Sequence, residues 1–297
     1  MRLRALILVP VLVLASALAA CSGAEQPDVP GLIGSSLRAA SQQRDLKVHY
    51  SVSATIHATP SVQASEQTRR LLSKPVTLSA SGGLSKDAVT FAGSLALAGK
   101  SFRAEALVGQ RETYVNLLGS WYGDRTKGLD DAQGGVSEKA NPQELRKTLR
   151  WVYDHSDEVL DATVTAGPDI DGDTWQARGH CRPAAIVELA QRSGKTVTPE
   201  QQTGIEQFCR MTELTYVIGA DDNLPRQIRF AADLDKQTLA GLSAAGGDVD
   251  ELDRLRVELD IKLTKWGEDV EYSAPADPKP MEELGMAVFG LLLQVAA

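Results

Sequence analysis

The stretch Leu255-Arg256-Val257-Glu258-Leu259-Asp260-Ile261-Lys262-Leu263 decides the fold class. Apolar and charged residues alternate along it without a break, which is the period of a β-strand with one buried face and one solvated face. Strands of this kind belong to antiparallel sheets, because parallel sheets are normally covered on both faces. The sequence therefore predicts an antiparallel sheet with a single apolar face.

The same alternation recurs before this stretch. Segment 46–56 is the longest copy, and it sets Val52 and its alternate neighbours on one face and serines on the other. Turn signals such as Gly82-Gly83, Gly99-Lys100 and Gly109-Gln110 separate several of the others. The remaining predicted strands are 76–80, 89–97, 102–108, 113–118, 160–165, 174–181, 214–218 and 228–232.

Helical periodicity marks five segments that could cover the apolar face. They begin near Pro30, Asn141, Pro183, Thr198 and Met281. Segments 59–73, 123–139 and 235–248 are interpreted as loops, with Gly119-Ser120-Trp121-Tyr122 at the rim of the sheet and 271–280 as an extended crossing. A sheet with one apolar face must bury that face. We therefore expect an α+β fold with a strongly curved antiparallel sheet, a half-barrel of about nine to ten strands, covered by helices around an apolar core or cavity.

The N-terminus has the order of a bacterial signal peptide. Arg2 and Arg4 precede an apolar run that ends in Leu18-Ala19-Ala20-Cys21. Charged, apolar and small-residue regions in this order predict cleavage after residue 20. The Leu-Ala-Ala-Cys sequence resembles a lipobox, in which the cysteine thiol receives a diacylglycerol. We expect residues 1–20 to be removed, 21–29 to form a lipidated N-terminus and tether, and 30–297 to form one domain.

Charge excludes one class of partner. The net charge of the chain is −8, and it becomes −10 once Arg2 and Arg4 leave with the signal peptide. An acidic protein of this kind does not favour nucleic acid or broad electrostatic binding to anionic lipid. The protein should therefore meet a membrane through its anchor or through specific contacts.

Two further cysteines, Cys181 and Cys209, remain in the predicted mature chain. In an oxidising compartment such a pair predicts a disulfide, here bracketing a helical insertion near 181–209. A redox or metal pair that includes His180 is the alternative.

The sequence contains no recognisable catalytic or metal-binding motif. The run Asp169-Ile170-Asp171-Gly172-Asp173 is similar to the start of a calcium loop, but an EF-hand requires glycine at position six and glutamate at twelve. Glycine is fourth here and His180 is twelfth, which favours a hairpin turn. We predict no catalytic residue, no metal and no cofactor, so the protein is not expected to be an enzyme.

Several features together resemble one family. They are the lipobox, the N-terminal helix that leads into a long strand, the rim Thr113-Tyr114-Val115-Asn116-Leu117 with Trp121, and the closing order Asn223-Leu224-Pro225-Arg226-Gln227-Ile228, charged strand, Ser273-Ala274-Pro275. This pattern, over about residues 30 to 280, resembles the lipid-binding lipoproteins of the LolA superfamily, of the mycobacterial LppX/LprG type. The resemblance implies a half-open barrel whose apolar cavity holds acyl chains such as palmitate.

The function that the resemblance implies is lipid transport within the cell envelope. The protein would be lipid-anchored on the extracytoplasmic face of the cell membrane, with a lipid or lipoglycan as ligand and an envelope lipid exporter or acceptor protein as a further partner. The predicted cavity lining is Val52, Phe91, Leu95, Phe102, Val115, Leu149, Leu259 and Ile261.

Two other functions are compatible with the sequence. The first is an extracytoplasmic scaffold or adaptor lipoprotein with a filled core and no ligand. The second is an enzyme whose site the sequence does not reveal, which a cleft of convergent polar groups would indicate. An apolar void of roughly several hundred Å³ would favour the carrier over the scaffold.

Overall fold

The computed structural model describes residues 29–43, 47–126, 160–192, 196–244 and 251–286. Its strands are β1 Lys47–Pro60, β2 Val76–Ser85, β3 Ala88–Leu97, β4 Lys100–Gly109, β5 Thr113–Leu117, β6 Ser120–Asp124, β7 Leu160–Ala166, β8 Thr174–Cys181, β9 Thr212–Gly219, β10 Pro225–Asp235, β11 Leu252–Thr264 and β12 Lys279–Pro280. Its helices are α1 Val29–Ser41, α2 Glu66–Leu71, α3 Pro183–Arg192, α4 Pro199–Met211 and α5 Lys236–Ala244, with a 3₁₀ turn at Met281–Glu283.

All twelve strands form one curved sheet in the order β12-β6-β5-β4-β3-β2-β1-β11-β10-β9-β8-β7. Each neighbouring pair is antiparallel except β6 and β12, which run parallel. Within the described residues the sheet is open, since β12 and β7 lie at opposite ends of the order. The predicted α+β fold with a curved sheet is confirmed, with twelve strands in place of nine to ten.

The differences from the predicted elements have local causes. The segment 119–122 was expected at the rim, but Leu118 and Gly119 make a tight turn and β6 follows, with Tyr122 buried. Gly82-Gly83 lies inside β2 and does not form a turn. The segment after Asp235 was expected as a loop, yet it is α5, because Asp235 accepts a 2.9 Å hydrogen bond from the Thr238 amide and Leu239 is buried.

The sheet has one continuous apolar face. In β1, Tyr50, Val52, Ala54 and Ile56 share it, and in register they oppose alternate residues of β11 on one side and of β2 on the other. The same alternation continues across all the antiparallel strand pairs, from β6 near one edge of the sheet to β7 at the other edge. We call this surface the apolar face. The opposite surface, which carries Ser51 and its alternate neighbours, is the polar face.

Helices cover one half of the apolar face. Helix α1 packs on β7, β9 and β10, where Leu32 is buried in a cluster with Tyr216 and Ile261. Helices α4 and α5 close a second cluster around Leu239 and Leu255. As predicted, α3 and α4 lie between β8 and β9, and the disulfide Cys181–Cys209 joins the end of β8 to α4. Thr198 and Gln201 begin α4 with a capping box.

An extended segment returns from β11 to the far edge of the sheet. Residues 265–280, which we call the strap, cross the polar face at the end where β1 begins and finish as β12 beside β6. Lys47 pairs with Asp269 at 2.5 Å, and the Lys47 carbonyl accepts from the Gly267 amide. Val270 lies over Gly83, where an added Cβ would come within 2.6 Å of its side chain. The strap therefore holds β1 to β6 from the polar side.

Several sequence predictions lie outside the described residues. They are the signal peptide 1–20, the lipidation site Cys21 with residues 22–28 of the tether, the helix that begins at Asn141 with Leu149, and the part of the C-terminal helix after Met286. No helix in the described part of the chain has the length and apolar character needed to cross a membrane.

Candidate ligand-binding face

Seven of the eight residues predicted to line a cavity are described, and all seven lie on the apolar face. Val52 opposes Ile261, and Leu95 opposes Phe102, as direct neighbours across strands. Phe91 and Val115 both oppose Ala106 from its two sides. The remaining residue, Leu259, opposes Ala54 and Phe230. The sequence thus placed these side chains on one surface, and their contact with a ligand stays a prediction.

Burial divides this group into two parts. Leu259 is 7% exposed and Ile261 is 1% exposed, both inside the cluster that α1 covers. Phe91, Phe102 and Val115 are only partly buried, and Leu95 is 39% exposed. An exposed apolar surface on several adjacent strands is unusual unless it meets a partner or a ligand. The β2–β5 half of the apolar face is therefore the candidate site.

A row of small residues crosses this half. Ala80, Gly93 and Ala104 oppose one another in β2, β3 and β4. Larger side chains flank the row, with Phe91 on one side and Leu95 on the other. The row runs across the strands, and we call it, with the larger side chains on its two sides, the trough. The sequence did not predict this row, because the alignment of the three residues depends on the register between the strands.

Gly93 is needed at the centre of the trough. A Cβ there would lie 2.8 Å from Cζ of Phe91 and 2.8 Å from the Ser79 carbonyl oxygen. The Phe91 ring therefore leans over Gly93, and any larger residue would displace it.

The Tyr50 hydroxyl lies next to the trough, and it already has a hydrogen-bond partner. Its hydroxyl donates a 2.7 Å hydrogen bond to the Thr90 carbonyl, and burial raises its pKa. The ring passes over Gly82, where a Cβ would come within 2.8 Å of the hydroxyl. Because the hydroxyl has a partner, this part of the face behaves as an apolar surface.

The described residues also form two depressions. One of about 580 Å³ is on the polar face and has serines as its main lining, with Arg103 and Glu105 on one side and Asp260 and Lys262 on the other. Val52, one of the predicted lining residues, also borders it, as do Ala80, Gly93 and Ala104 of the row described above. The second, of about 510 Å³, lies beside the strap between Lys47 and Tyr272. Their polar linings do not suit an acyl chain.

One carboxylate fixes the strap beside the second depression. Glu112 accepts 2.8 Å hydrogen bonds from the hydroxyls of Tyr114 and Tyr272. These two hydrogen bonds hold the pKa of Glu112 below its ordinary value, Tyr114 being the larger cause. Burial, followed by the bond to Glu112, raises the pKa of Tyr272. The cluster has neither a nucleophile nor a base with a raised carboxyl pKa, and we assign it a structural role.

Comparisons with known proteins give little further information. No protein-family model matches the chain, and no curated protein matches it. Among solved structures, LprF from Mycobacterium bovis is similar with 16% sequence identity and a TM-score of 0.39, over 86% of this chain and 100% of that chain. A likeness of this degree carries no argument about ligand or activity.

Proposed function

We propose that this protein is a lipoprotein of the cell envelope that binds the acyl chains of a lipid or lipoglycan against the β2–β5 half of its apolar face. In this proposal it is anchored through Cys21 on the extracytoplasmic face of the membrane. It takes lipid from that membrane, or from an exporter, and passes it to an acceptor protein. No covalent chemistry is required of it.

One observation carries the proposal. The apolar face continues across the strands from the covered β7–β11 half into the β2–β5 half, where Leu95 keeps 39% of its surface exposed and Phe91 and Phe102 are partly exposed. Leaving such side chains in water costs roughly 25 cal/mol for each Å² of apolar surface. An acyl chain placed along the trough would remove that surface from water.

The energetics of lipid transfer suit a carrier of this kind. Burial in hydrocarbon stabilises an acyl chain by about 0.8 kcal/mol per CH₂, so a palmitoyl chain is held in a membrane by roughly 12 kcal/mol. Unassisted passage through water is therefore very slow. A protein surface of similar apolarity lowers the barrier by binding alone, which is consistent with a site that has no catalytic group.

Native mass spectrometry tests the proposal directly. The protein is purified without detergent and examined for bound lipid, then delipidated and mixed with palmitate or phospholipid. We expect the Leu95→Gln variant to bind about tenfold less tightly, because it places an amide in the apolar trough. Leu107→Gln is the matched control, since Leu107 belongs to β4 but points to the polar face.

Two results would overturn the proposal. The first is purified protein that carries no lipid and binds none that is added, which would favour the scaffold with a filled core. The second is an equal loss of binding in the Leu95→Gln and Leu107→Gln variants, which would place the ligand away from the apolar face.

A further inference from the structure

One end of the sheet carries the connections that follow β1, β3 and β5. These are the loop 61–64, the turn Ala98-Gly99 and the turn Leu118-Gly119. Lys74, just before β2, joins them, because its side chain lies within 3 Å of where a Cβ on Gly99 would be. We call this group of connections the turn end. The strap crosses the opposite end of the same strands.

Val62 is presented to solvent by a loop that is itself well fixed. The Val62 side chain is 79% exposed. Its carbonyl accepts a 2.9 Å hydrogen bond from Nη2 of Arg69, and Nε of Arg69 donates to the Ala64 carbonyl at 3.0 Å. The Ser61 amide also donates to the Glu251 carbonyl. Because the loop is held from several sides, the exposure of Val62 is a property of the fold.

Leu118 is exposed at a backbone position that leucine rarely occupies. Its φ is 55°, followed by Gly119 at 82°, and 60% of its surface is exposed. Tight hairpin turns with two positive φ values strongly prefer asparagine, aspartate or glycine first. A bulky residue there is strained, and strain of this kind is an observation from which a functional role can be inferred. Here the strained residue is also apolar and projects from the sheet.

Basic residues outnumber acidic ones at the turn end. Four basic residues, Arg69, Arg70, Lys74 and Lys100, belong to the turn end or to α2 beside it. Two carboxylates contact the same segments: Glu66, which pairs with Arg70 at 2.6 Å, and Glu251, which accepts a hydrogen bond from the Thr68 hydroxyl of α2. This excess stands out in a chain of net charge −8. The opposite end mixes both signs, with Asp87, Glu112 and Asp269 beside Lys47 and Lys86. The turn end therefore has a local excess of basic groups and two exposed apolar side chains, on an acidic protein.

We propose that the turn end docks on the surface of an anionic bilayer, with Val62 and Leu118 entering the headgroup layer and the lysines and arginines facing lipid phosphates. Each basic group near such a surface contributes measurable attraction, and small apolar insertions add to it. The inference rests on the envelope location given under the proposed function, but it does not require that the trough hold lipid. It gives the sheet a fixed orientation on the membrane.

The test measures binding to vesicles of the chain from residue 21 onward, which is the predicted mature protein, made without its acyl group. Sedimentation is compared between phosphatidylcholine vesicles with and without about one-third phosphatidylglycerol. We expect binding to the anionic vesicles that weakens with added salt. The K74E/K100E variant and the V62S/L118N variant should each bind about tenfold more weakly.

The substitutions are chosen to leave the fold intact, so that a loss of vesicle binding is not caused by unfolding. Asparagine suits the positive φ of residue 118, so Leu118→Asn should keep or raise the melting temperature. K86E/K265E, with the same change in charge at the opposite end, is the control and should bind as the unaltered chain does. Native mass spectrometry on the same samples reports lipid occupancy, so failure of the proposed function is seen separately.

The proposal is overturned if the unaltered chain does not bind anionic vesicles. It is also overturned if K86E/K265E weakens binding as much as K74E/K100E, because attraction would then be a property of overall charge. Unchanged binding by V62S/L118N would show that the apolar tips do not enter the bilayer, and would overturn it as well.

Discussion

At the scale of single residues, a buried hydroxyl pair ties α1 to the sheet. Ser36 and Tyr216 are both buried, and their hydroxyl oxygens are 3.3 Å apart. Burial raises the pKa of Tyr216 to about 12, so the phenol stays neutral through the physiological range. A buried hydroxyl without a partner costs free energy, and each member of this pair is the partner of the other.

We predict that Ser36→Ala lowers the free energy of unfolding by about 1–2 kcal/mol, because it leaves the Tyr216 hydroxyl without this partner. Ser35→Ala is the matched control. Ser35 is only partly buried and donates within its own helix to the Leu32 carbonyl, so its loss should cost less than about 0.5 kcal/mol. Urea unfolding followed by circular dichroism measures both values. Equal destabilisation by the two variants would contradict this account.

At the scale of elements, the strap is held by carboxylates whose pKa values are lowered in the folded protein. The hydrogen bonds from Tyr114 and Tyr272 lower the pKa of Glu112, and the hydrogen bond from Lys47 lowers that of Asp269. A lowered folded-state pKa contributes stability above the unfolded-state value, and this contribution disappears as the pH falls through the folded-state value. The strap should therefore be secure at neutral pH and loosen in acid.

We predict that Glu112→Gln lowers the melting temperature by about 2–4 °C at pH 7, for a loss of about 1 kcal/mol. The difference from the unaltered protein should begin to shrink below the ordinary glutamate pKa of about 4.3, and should disappear as the pH falls through the lowered folded-state pKa of Glu112. Tyr272→Phe should cost a similar amount alone and little more in the Glu112→Gln background. A difference in melting temperature that stays constant from pH 7 to about pH 3 would show that the charge of Glu112 is not what holds the strap.

The elements also show what sequence could and could not predict. The alternation of apolar and polar residues predicted the strands and the residues on their apolar face, because a register shift of one residue would turn every side chain to the wrong face. Helices with caps and long apolar stripes, such as α4, were predicted for the same local reason. The contact between Val270 and Gly83 could not be predicted, since the two residues are far apart in the chain. Helix α5 was missed because its apolar stripe is weak; the cap hydrogen bond to Asp235 and the contact of Leu239 with the second cluster stabilise it.

Only part of the trough could be predicted from the sequence. The sequence placed Phe91, Leu95 and Phe102 on one face, because each strand has its own period. Which strands lie side by side depends on the order of the whole sheet, and β1 pairs with β11 across most of the chain. The alignment of Ala80, Gly93 and Ala104 into a row depends on that order and on register. Their common role is visible only once the strands are assembled.

At the scale of the whole molecule, the two halves of the sheet should respond differently to ligand. The β7–β11 half is closed by α1, α4 and α5, which pack against its two core clusters. The proposed site lies in the β2–β5 half, whose apolar side chains stay partly exposed. Binding to the folded state alone raises the free energy of unfolding by RT ln(1 + [L]/Kd), about 2.7 kcal/mol when the ligand is at 100 times its Kd.

We predict that delipidated protein melts at a lower temperature than the protein as purified, and that palmitate added at about 100 times its Kd raises the melting temperature by several degrees. Scanning calorimetry measures this shift. Leu95→Gln should abolish most of it, whereas Leu107→Gln should retain it, because the ligand would contact one face of the sheet only. An equal shift in both variants would place the acyl chain elsewhere on the molecule, and no shift in the unaltered protein would remove palmitate as a ligand of the folded state.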